Sequence, residues 1–240
     1  MTPFRRSVAL VSVATLGLLA ACGSSDEGSG GSPTTAADPP APATTGPVVD
    51  GPNATISPDV PEEFLDSVGP VEVIGDPLPM LTTEDIAADP AVGTAAPVLV
   101  GVGFDGATVR IDAAENGPTM VVFVAHWCPH CNAEIPRLNQ LRDEGRIPDD
   151  LNVVAVATAS APDRPNYPPG PWLTDLDWTY PAMPDGIDMA AQTWIAAEAF
   201  GVSGLPFIAL IDGGGEIAAR WSGEREPDEV ATLISDALGL

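Results

Sequence analysis

The sequence predicts one α/β domain over about residues 95–240, and three observations favour it. Short apolar runs typical of buried strands alternate with runs of helical spacing. The stretch is long enough to bury a core. The sequence Trp-Cys-Pro-His-Cys, residues 127–131, lies directly between one strand run and one helix run. We therefore expect a central sheet flanked by helices, with chemistry at that junction.

The first half of the domain begins with a predicted β-hairpin. Residues 97–102 and 107–111 read as its strands, and the turn falls at Phe104-Asp105-Gly106. The apolar run 120–125 predicts a central strand. Residues 128–142 have apolar side chains at helical spacing and predict the helix that follows it.

The second half continues the alternation. We expect, in chain order, the strand 152–158, the helix 188–200, the strands 206–211 and 216–222, and the helix 228–238. The Pro-rich segment 159–184 is longer than a plain connection. It predicts either one wall of a substrate groove or an irregular loop with a short packed helix.

Residues 1–21 have the pattern of a bacterial lipoprotein signal peptide. Two arginines precede an apolar run of roughly 13 residues, too short for a spanning helix of about 20. The small residues before Cys22 resemble a lipobox, which implies that Cys22 carries lipid and anchors the chain to the cell membrane. The alternative is an ordinary cleavage site that leaves Cys22 as a free thiol.

Two segments separate this anchor from the domain. Residues 22–61 are rich in Ser, Gly, Thr, Pro and Ala, a composition that cannot build a core, so we expect a disordered tether. Residues 62–94 carry short apolar patches broken by Pro and Gly. They predict an irregular collar on the domain, with further linker as the alternative.

The charge balance excludes one class of partner. The chain has 34 acidic residues against nine basic ones, and its net charge is −25. Nucleic-acid binding depends on basic clusters that neutralise phosphates. We therefore expect no nucleic acid among its partners.

The spacing of Cys128 and Cys131 favours thiol chemistry. A thiol at a helix N-terminus faces unpaired N–H groups and the positive end of the helix dipole, which favour its thiolate. Cys131 lies one turn further on the same face, so the two sulfurs can form and break a disulfide with little backbone movement. This predicts Cys128 as the nucleophile and Cys131 as the resolving thiol.

Several motifs together resemble the thioredoxin-like superfamily, and within it the membrane-tethered TlpA/ResA-type thiol-disulfide oxidoreductases. They are Ala96-Pro97 at the start of the domain, the Phe-Asp-Gly turn, the pattern Trp-Cys-x-x-Cys-x-x-Glu-x-Pro over 127–136, and Gly-Val-Ser-Gly-Leu-Pro over 201–206. The resemblance covers about residues 95–240. It implies a central mixed sheet flanked by helices, with the N-terminal hairpin as an extension.

The resemblance also implies roles for single residues. Pro206 would be the cis-proline beside the disulfide, and Glu134 the carboxylate that takes a proton from a thiol during exchange. Trp127 would shield the disulfide. An ordinary helix-surface carboxylate is the alternative for Glu134.

Three departures from the family pattern bear on the redox chemistry. Val122 stands where many thioredoxin-like proteins have a buried carboxylate, and Leu205 where Thr often precedes the cis-proline. Pro129-His130 is the dipeptide of oxidising members of the superfamily. Because His130 can stabilise the Cys128 thiolate, we expect a couple more oxidising than the roughly −270 mV of thioredoxin.

The implied activity is disulfide exchange outside the cytoplasm without a dissociable cofactor, since the redox group is the Cys128–Cys131 disulfide. Its partners would be envelope proteins with thiols or disulfides and a membrane redox protein that recharges the couple. A copper- or zinc-binding module is the alternative, because His126, Cys128, His130 and Cys131 are suitable ligand types. A peroxidase is less favoured, since Ala125 replaces the Thr or Ser expected three residues before a peroxidatic Cys.

Overall fold

The computed structural model describes residues 59–239 of the 240-residue chain. The signal-peptide, Cys22 and most of the tether predictions lie outside these residues and stay predictions. Within the described range, no helix is both long and apolar enough to cross a membrane.

A five-stranded mixed sheet forms the centre of the domain. Its strands, in spatial order, are β10 (Ile217–Ser222), β9 (Phe207–Ile211), β4 (Thr119–Val124), β5 (Asn152–Ala157) and β6 (Ala182–Pro184). β4 pairs parallel with β5 and antiparallel with β9. Helix α2 (Pro129–Asp143) connects β4 to β5, and the β9–β10 hairpin completes the sheet. This arrangement is the thioredoxin-like fold, so the predicted fold class is confirmed.

The predicted hairpin extension is also present. β2 (Val98–Val102) and β3 (Thr108–Ile111) pair antiparallel, and β1 (Val71–Ile74) adds a third strand alongside β2. β1 belongs to the segment 62–94, which the sequence described only as a collar or linker. That segment also contains two 3-10 helices, Glu62–Phe64 and Ile86–Ala88.

The central strand β4 is buried along its whole length, because both faces of the sheet are covered. The even-numbered residues Met120, Val122 and Val124 face one core cluster, and the odd-numbered Val121 and Phe123 face the other. The helices are α1 (Ala113–Asn116), α2, α3 (Pro169–Asp175), α4 (Ile195–Ala199) and α5 (Pro227–Leu238). Burial of both faces holds the end of β4, where the cysteine motif begins, in a fixed place.

The predicted helix over 188–200 is wrong in its first half. β7 (Ile187–Asp188) and β8 (Thr193–Trp194) form a small hairpin there, and helix α4 begins only at Ile195. The Asp188 side chain accepts the N–H groups of Ala190 and Ala191, an Asx-type turn that competes with helix formation. Gln192 adds a left-handed backbone with φ of 57°.

A buried ion pair fixes the segment 62–94 to the sheet. Arg220 on β10 donates to both carboxylate oxygens of Asp89, at 2.8 and 2.6 Å, and both side chains are fully buried. Burial opposes ionisation of Asp89, but the hydrogen bonds from Arg220 and the Ala91 N–H outweigh it and lower its pKa. Arg220 also donates to the carbonyl of Phe200 at 2.7 Å. We call this pair the Asp89–Arg220 clamp.

Candidate active site

The cysteine motif lies where β4 passes into α2. Cys128 is the N-cap residue of α2, and Pro129 in the first turn suits a helix start. The Cys128 side chain is only 5% exposed, and its Sγ lies 3.6 Å from the carbonyl oxygen of Leu205. The thiol therefore sits between the helix N-terminus and the loop that leads into β9.

Cys131 lies one turn further along α2 and is fully buried. Its Sγ accepts the Ala125 N–H at 3.5 Å and is in hydrogen-bonding contact with Cys128; both thiols are free. Burial raises the pKa of Cys131, the Ala125 N–H opposes this, and the contacts with Cys128 and Glu134 raise it further. Cys131 therefore needs a nearby base before it can attack.

Glu134 supplies a candidate for that base. It is fully buried, its charge acts on Cys131, and its Oε2 accepts the Arg225 N–H at 3.0 Å. Its Oε1 has no protein partner among the described residues. Burial raises the pKa of Glu134 to about 7, although Arg225 and Arg137 act in the opposite direction. A group with such a pKa can both take and return a proton near neutral pH.

Pro206 lies opposite the cysteines, in the loop before β9. The Leu205–Pro206 peptide bond is cis, and the Leu205 carbonyl faces the Cys128 thiol. The Pro206 carbonyl accepts the Gly223 N–H at 2.8 Å, which connects this loop to the end of β10.

Trp127 joins the cysteine motif to the segment that follows β5. Its indole N–H donates to the Ala159 carbonyl at 2.7 Å, and the Arg164 guanidinium lies 5.8 Å from its ring centre. The side chain is half-buried beside the first core cluster. Its role as a shield of the disulfide stays a prediction.

His130 lies in the first turn of α2 and faces Glu224. Its side chain is 66% exposed, and its Nδ1 lies 3.3 Å from Oε1 of Glu224. Among the described residues, His130 makes no hydrogen bond with the Cys128 thiol. Its contact with Glu224 competes with the stabilisation of the thiolate that the sequence predicted.

His126 is buried and acts as a connector. Its Nδ1 lies 2.6 Å from the Pro165 carbonyl, and its Nε2 lies 3.1 Å from the Ala161 nitrogen, which donates to it. Burial lowers the pKa of His126, so the neutral ring that these contacts require is favoured. Both ring nitrogens are thus occupied by the segment after β5.

The His/Cys cluster suggested by the sequence is not brought together as a ligand set. His126 faces the segment after β5, and His130 faces Glu224. Over residues 59–239, no three His, Cys, Asp or Glu side chains are grouped in a way that could hold a metal ion. Metal binding by these residues would require His126 to give up a backbone contact.

Three polar residues of this site were not singled out from the sequence. Asn132 donates to the Cys128 carbonyl at 2.8 Å and accepts the Trp172 N–H at 3.0 Å, which steadies the first turn of α2. Arg137 pairs with Glu134 Oε2 at 3.9 Å, and the Arg225 backbone N–H donates to the same oxygen at 3.0 Å. Arg137 could have been predicted from its i, i+3 spacing with Glu134. Arg225 is too distant in sequence from Glu134 for any such spacing to indicate it.

A groove with a volume of about 510 Å³ opens beside this site. It adjoins Ser203, three residues before Pro206, and its lining residues are Leu81, Thr82, Thr83, Glu84, Ser203, Trp221, Ser222, Gly223, Glu224, Arg225 and Glu229. The segment 159–184 does not line it. That segment contains α3 and β6, and its later part lines a separate cavity of about 400 Å³ with Phe104.

Comparisons with known sequences match most of the described domain to one protein family. A sequence model described as the AhpC/TSA family matches residues 92–236, more than half of the chain. The secreted antigen MPT53 of Mycobacterium tuberculosis and of Mycobacterium bovis is 38% identical over 60 residues, which are 25% of this chain. The match spans only 32% of the length of MPT53.

Two solved structures show a similar chain path. A thioredoxin-family thiol:disulfide interchange protein from Chlorobium tepidum is 25% identical, with a TM-score of 0.49, and the match covers 61% of this chain and 97% of that one. A secreted disulfide oxidoreductase of Mycobacterium tuberculosis is 18% identical, with a TM-score of 0.45, over 57% and 94% of the two chains. The fold assignment itself rests on the strand order described above.

Proposed function

The chain belongs to the AhpC/TSA family, and from this premise we propose that it is a thiol-disulfide oxidoreductase that exchanges disulfides with other proteins. The thiol pair carries the proposal. Cys128 caps the helix beside the Leu205 carbonyl, and the buried Cys131 lies behind it with Glu134 at its side. In this proposal Cys128, the less buried thiol, meets the substrate, and Cys131 meets only Cys128.

The proposed reaction has two steps. The Cys128 thiolate attacks a substrate disulfide, so a Cys128–substrate bond forms, the substrate S–S bond breaks, and the second substrate sulfur leaves as a thiolate. The Cys131 thiol then gives its proton to Glu134 and attacks Cys128 Sγ. The internal disulfide forms, and the first substrate sulfur leaves as a thiolate. The reverse sequence oxidises a substrate dithiol.

Two features of the chain favour disulfide exchange over peroxide reduction. Ala125 offers no hydroxyl three residues before Cys128, where a peroxidatic cysteine would have Thr or Ser. The buried Cys131 is already in contact with Cys128, which suits a protein whose resolving thiol acts within the same helix. Pro206 and Leu205 would then present backbone to a substrate segment.

We further propose a TlpA/ResA-type placement outside the cytoplasm. The lipobox-like end of residues 1–21 supports lipidation of Cys22, and the composition of 22–61 supports a tether to the domain. The partners are then thiol- or disulfide-containing envelope proteins and a membrane redox protein that recharges the couple. The redox group is the disulfide itself, so no dissociable cofactor is required.

The reduction potential of the full chain with Cys22→Ser tests this function, because Cys128 and Cys131 are then its only cysteines. The protein is equilibrated in glutathione and dithiothreitol buffers while Trp fluorescence and alkylated thiols are followed. We expect one reversible two-electron couple; a value above about −200 mV marks an oxidant or isomerase, and one below about −250 mV a reductant. Absence of a couple, with stoichiometric copper or zinc bound, would favour the metal module instead.

Single cysteine variants test the order of the two thiols. Cys131→Ser should accumulate a mixed disulfide between Cys128 and a disulfide-containing peptide, because the resolving step is removed. Cys128→Ser should form none, because Cys131 is fully buried. Intact-mass spectrometry under non-reducing conditions distinguishes them, and equal trapping by both variants would contradict the assignment.

A further inference from the structure

The segment 223–226, which connects β10 to α5, lies against helix α2, and Arg137 of that helix binds two of its carboxylates. Arg137 Nη1 lies 3.0 Å from Oε2 of Glu224, and its Nη2 lies 3.0 Å from Oε1 of Glu226. One guanidinium thus joins α2 to two carboxylates nearly ninety positions further along the chain. We call these three residues the charged strap.

Glu134 lies beneath the strapped segment. The Arg225 N–H, between the two strapped carboxylates, donates to Glu134 Oε2 at 3.0 Å, and the Glu134 side chain is fully buried. The segment also contributes Gly223, Glu224 and Arg225 to the lining of the groove. It therefore forms part of the groove wall and contacts the buried carboxylate as well.

The geometry of the strap suits an arginine better than a lysine. A guanidinium presents several N–H donors in a rigid plane, so it can bind two carboxylates at once, whereas a lysine ammonium acts as a single point charge. The Arg137 side chain is 27% exposed, so its ion pairs contribute little to global stability. Their effect is local, on the position of the segment 223–226.

Given the proposed disulfide exchange, we propose that Arg137 is a positioning residue of the redox site. Its paired contacts with Glu224 and Glu226 hold the segment 223–226 over Glu134 and keep that carboxyl out of the water of the groove. Arg137 also lies 3.9 Å from Oε2 of Glu134, but its proposed positioning effect acts through the segment, and no hydrogen bond joins it to either thiol among the described residues. Without the strap, water reaches Glu134 and makes it a weaker base toward Cys131.

Several titratable or charged groups face Glu134, and their effects on its pKa must be distinguished from the effect of the strap. Cys131 and Arg137 face it from α2, and Glu224 and Arg225 face it from the segment 223–226. Behind them, His130 contacts Glu224, and Glu229 of α5 contacts Arg225. Loss of the Arg137 charge, or of the hydrogen bond from the Arg225 N–H, would raise the pKa of Glu134. Entry of water would lower it, and because burial is the largest cause of the raised pKa, we expect the effect of water to dominate when the segment opens.

Arg137→Lys separates the two effects, because it keeps the charge and removes the two-pronged contact. The first measurement is hydrogen exchange at the Arg225 amide in the full chain with Cys22→Ser. We expect exchange at least about tenfold faster in R137K, since the segment opens locally. R146K is the matched control, because Arg146 also binds two carboxylates, Glu144 and Asp228, away from the thiols.

The second measurement is the titration of the Glu134 carboxyl by NMR, together with the pH profile of single-turnover disulfide resolution. In R137K both midpoints should fall, and in R146K neither should move. Unchanged amide exchange and midpoints in R137K, with a raised midpoint in R137Q, would show that only the charge of Arg137 matters and would overturn the proposal. If the exchange and titration shift but no variant, nor the parent chain, exchanges disulfides, the strap is supported and the proposed function fails.

Discussion

The molecule buries two carboxylates near β10 in opposite ways. Asp89 receives two hydrogen bonds from Arg220 and one from the Ala91 N–H, and its pKa is lowered. Glu134 receives one hydrogen bond from the Arg225 N–H, its Oε1 has no protein partner among the described residues, and burial raises its pKa to about 7.

The difference between Asp89 and Glu134 shows how its partners decide whether a buried carboxylate is structural or can exchange protons. A carboxylate whose two oxygens are both bound by a cation, with a further N–H bond, stays charged and holds two segments together. One that is left half-partnered is balanced between its two protonation states. The clamp and the redox site therefore use the same kind of group for different purposes.

Replacement of Asp89 should have the largest effect on stability. Asp89→Ala leaves the buried Arg220 guanidinium without its counter-ion, and we expect a loss of about 3–5 kcal/mol in the free energy of unfolding. Urea unfolding followed by circular dichroism measures it. The double variant Asp89→Leu with Arg220→Met is the control and should recover much of the loss. A loss below about 1 kcal/mol for Asp89→Ala would show that the clamp is not structural.

Glu134→Gln should have a smaller effect that depends on pH. The folded-state pKa of Glu134 is raised, so the stability that its protonated form contributes is lost as pH rises from about 4.5 through about 7. Gln does not titrate. The free energy of unfolding of the variant relative to the parent should therefore rise by roughly 2 kcal/mol between pH 5 and pH 8.

The same pH series sharpens the comparison with Asp89. Its pKa is lowered, so its contribution is present above the unfolded-state value and is lost only as pH falls through the folded-state value. The difference between Asp89→Ala and the parent should stay flat between pH 5 and pH 8. If the free energy of unfolding relative to the parent changed equally with pH in Asp89→Ala and Glu134→Gln, the two carboxylates would not differ as described.

The smallest expected effect concerns His130, on the exposed side of the site. His130→Pro removes a group that can favour the Cys128 thiolate, so the reduction potential should fall. Because His130 already contacts Glu224, we expect a shift of only about 30 mV. Equilibration with glutathione buffers measures it, and His130→Gln separates loss of charge from the backbone effect of proline. An unchanged potential would remove His130 from the redox chemistry.

The parts of this protein that the sequence predicted are those with local signals. The apolar runs of β4, β5 and β9 are buried strands, and the Phe104-Asp105-Gly106 turn joins β2 to β3. The cysteine motif occupies the start of α2. This position was predictable because an apolar strand run followed by Pro and helical spacing indicates a helix N-terminus without any tertiary information.

The parts that the sequence did not predict depend on contacts between distant residues. Asp89 and Arg220 are 131 positions apart, and Glu134 and Arg225 are 91 apart, so no periodicity connects them. The orientation of His130 likewise depends on Glu224. The false start of the predicted helix at residue 188 has a local cause, the side-chain turn of Asp188, which apolar spacing does not reveal.

The Asp89–Arg220 clamp helps to determine which contacts carry the load when this domain is pulled from its N-terminal end. A force applied at residue 59 passes in chain order through several attachments. They are the hydrogen bonds of Glu63 with Tyr167 and of Gly69 with Asp185, the β1–β2 pairing, the hydrogen bonds of Leu78 and Leu81 with Ala199 and Gly201, and the Asp89–Arg220 clamp. Helix α2 is not on this load path. Tension from the N-terminal side would be carried by these attachments rather than by the helix that holds the two thiols.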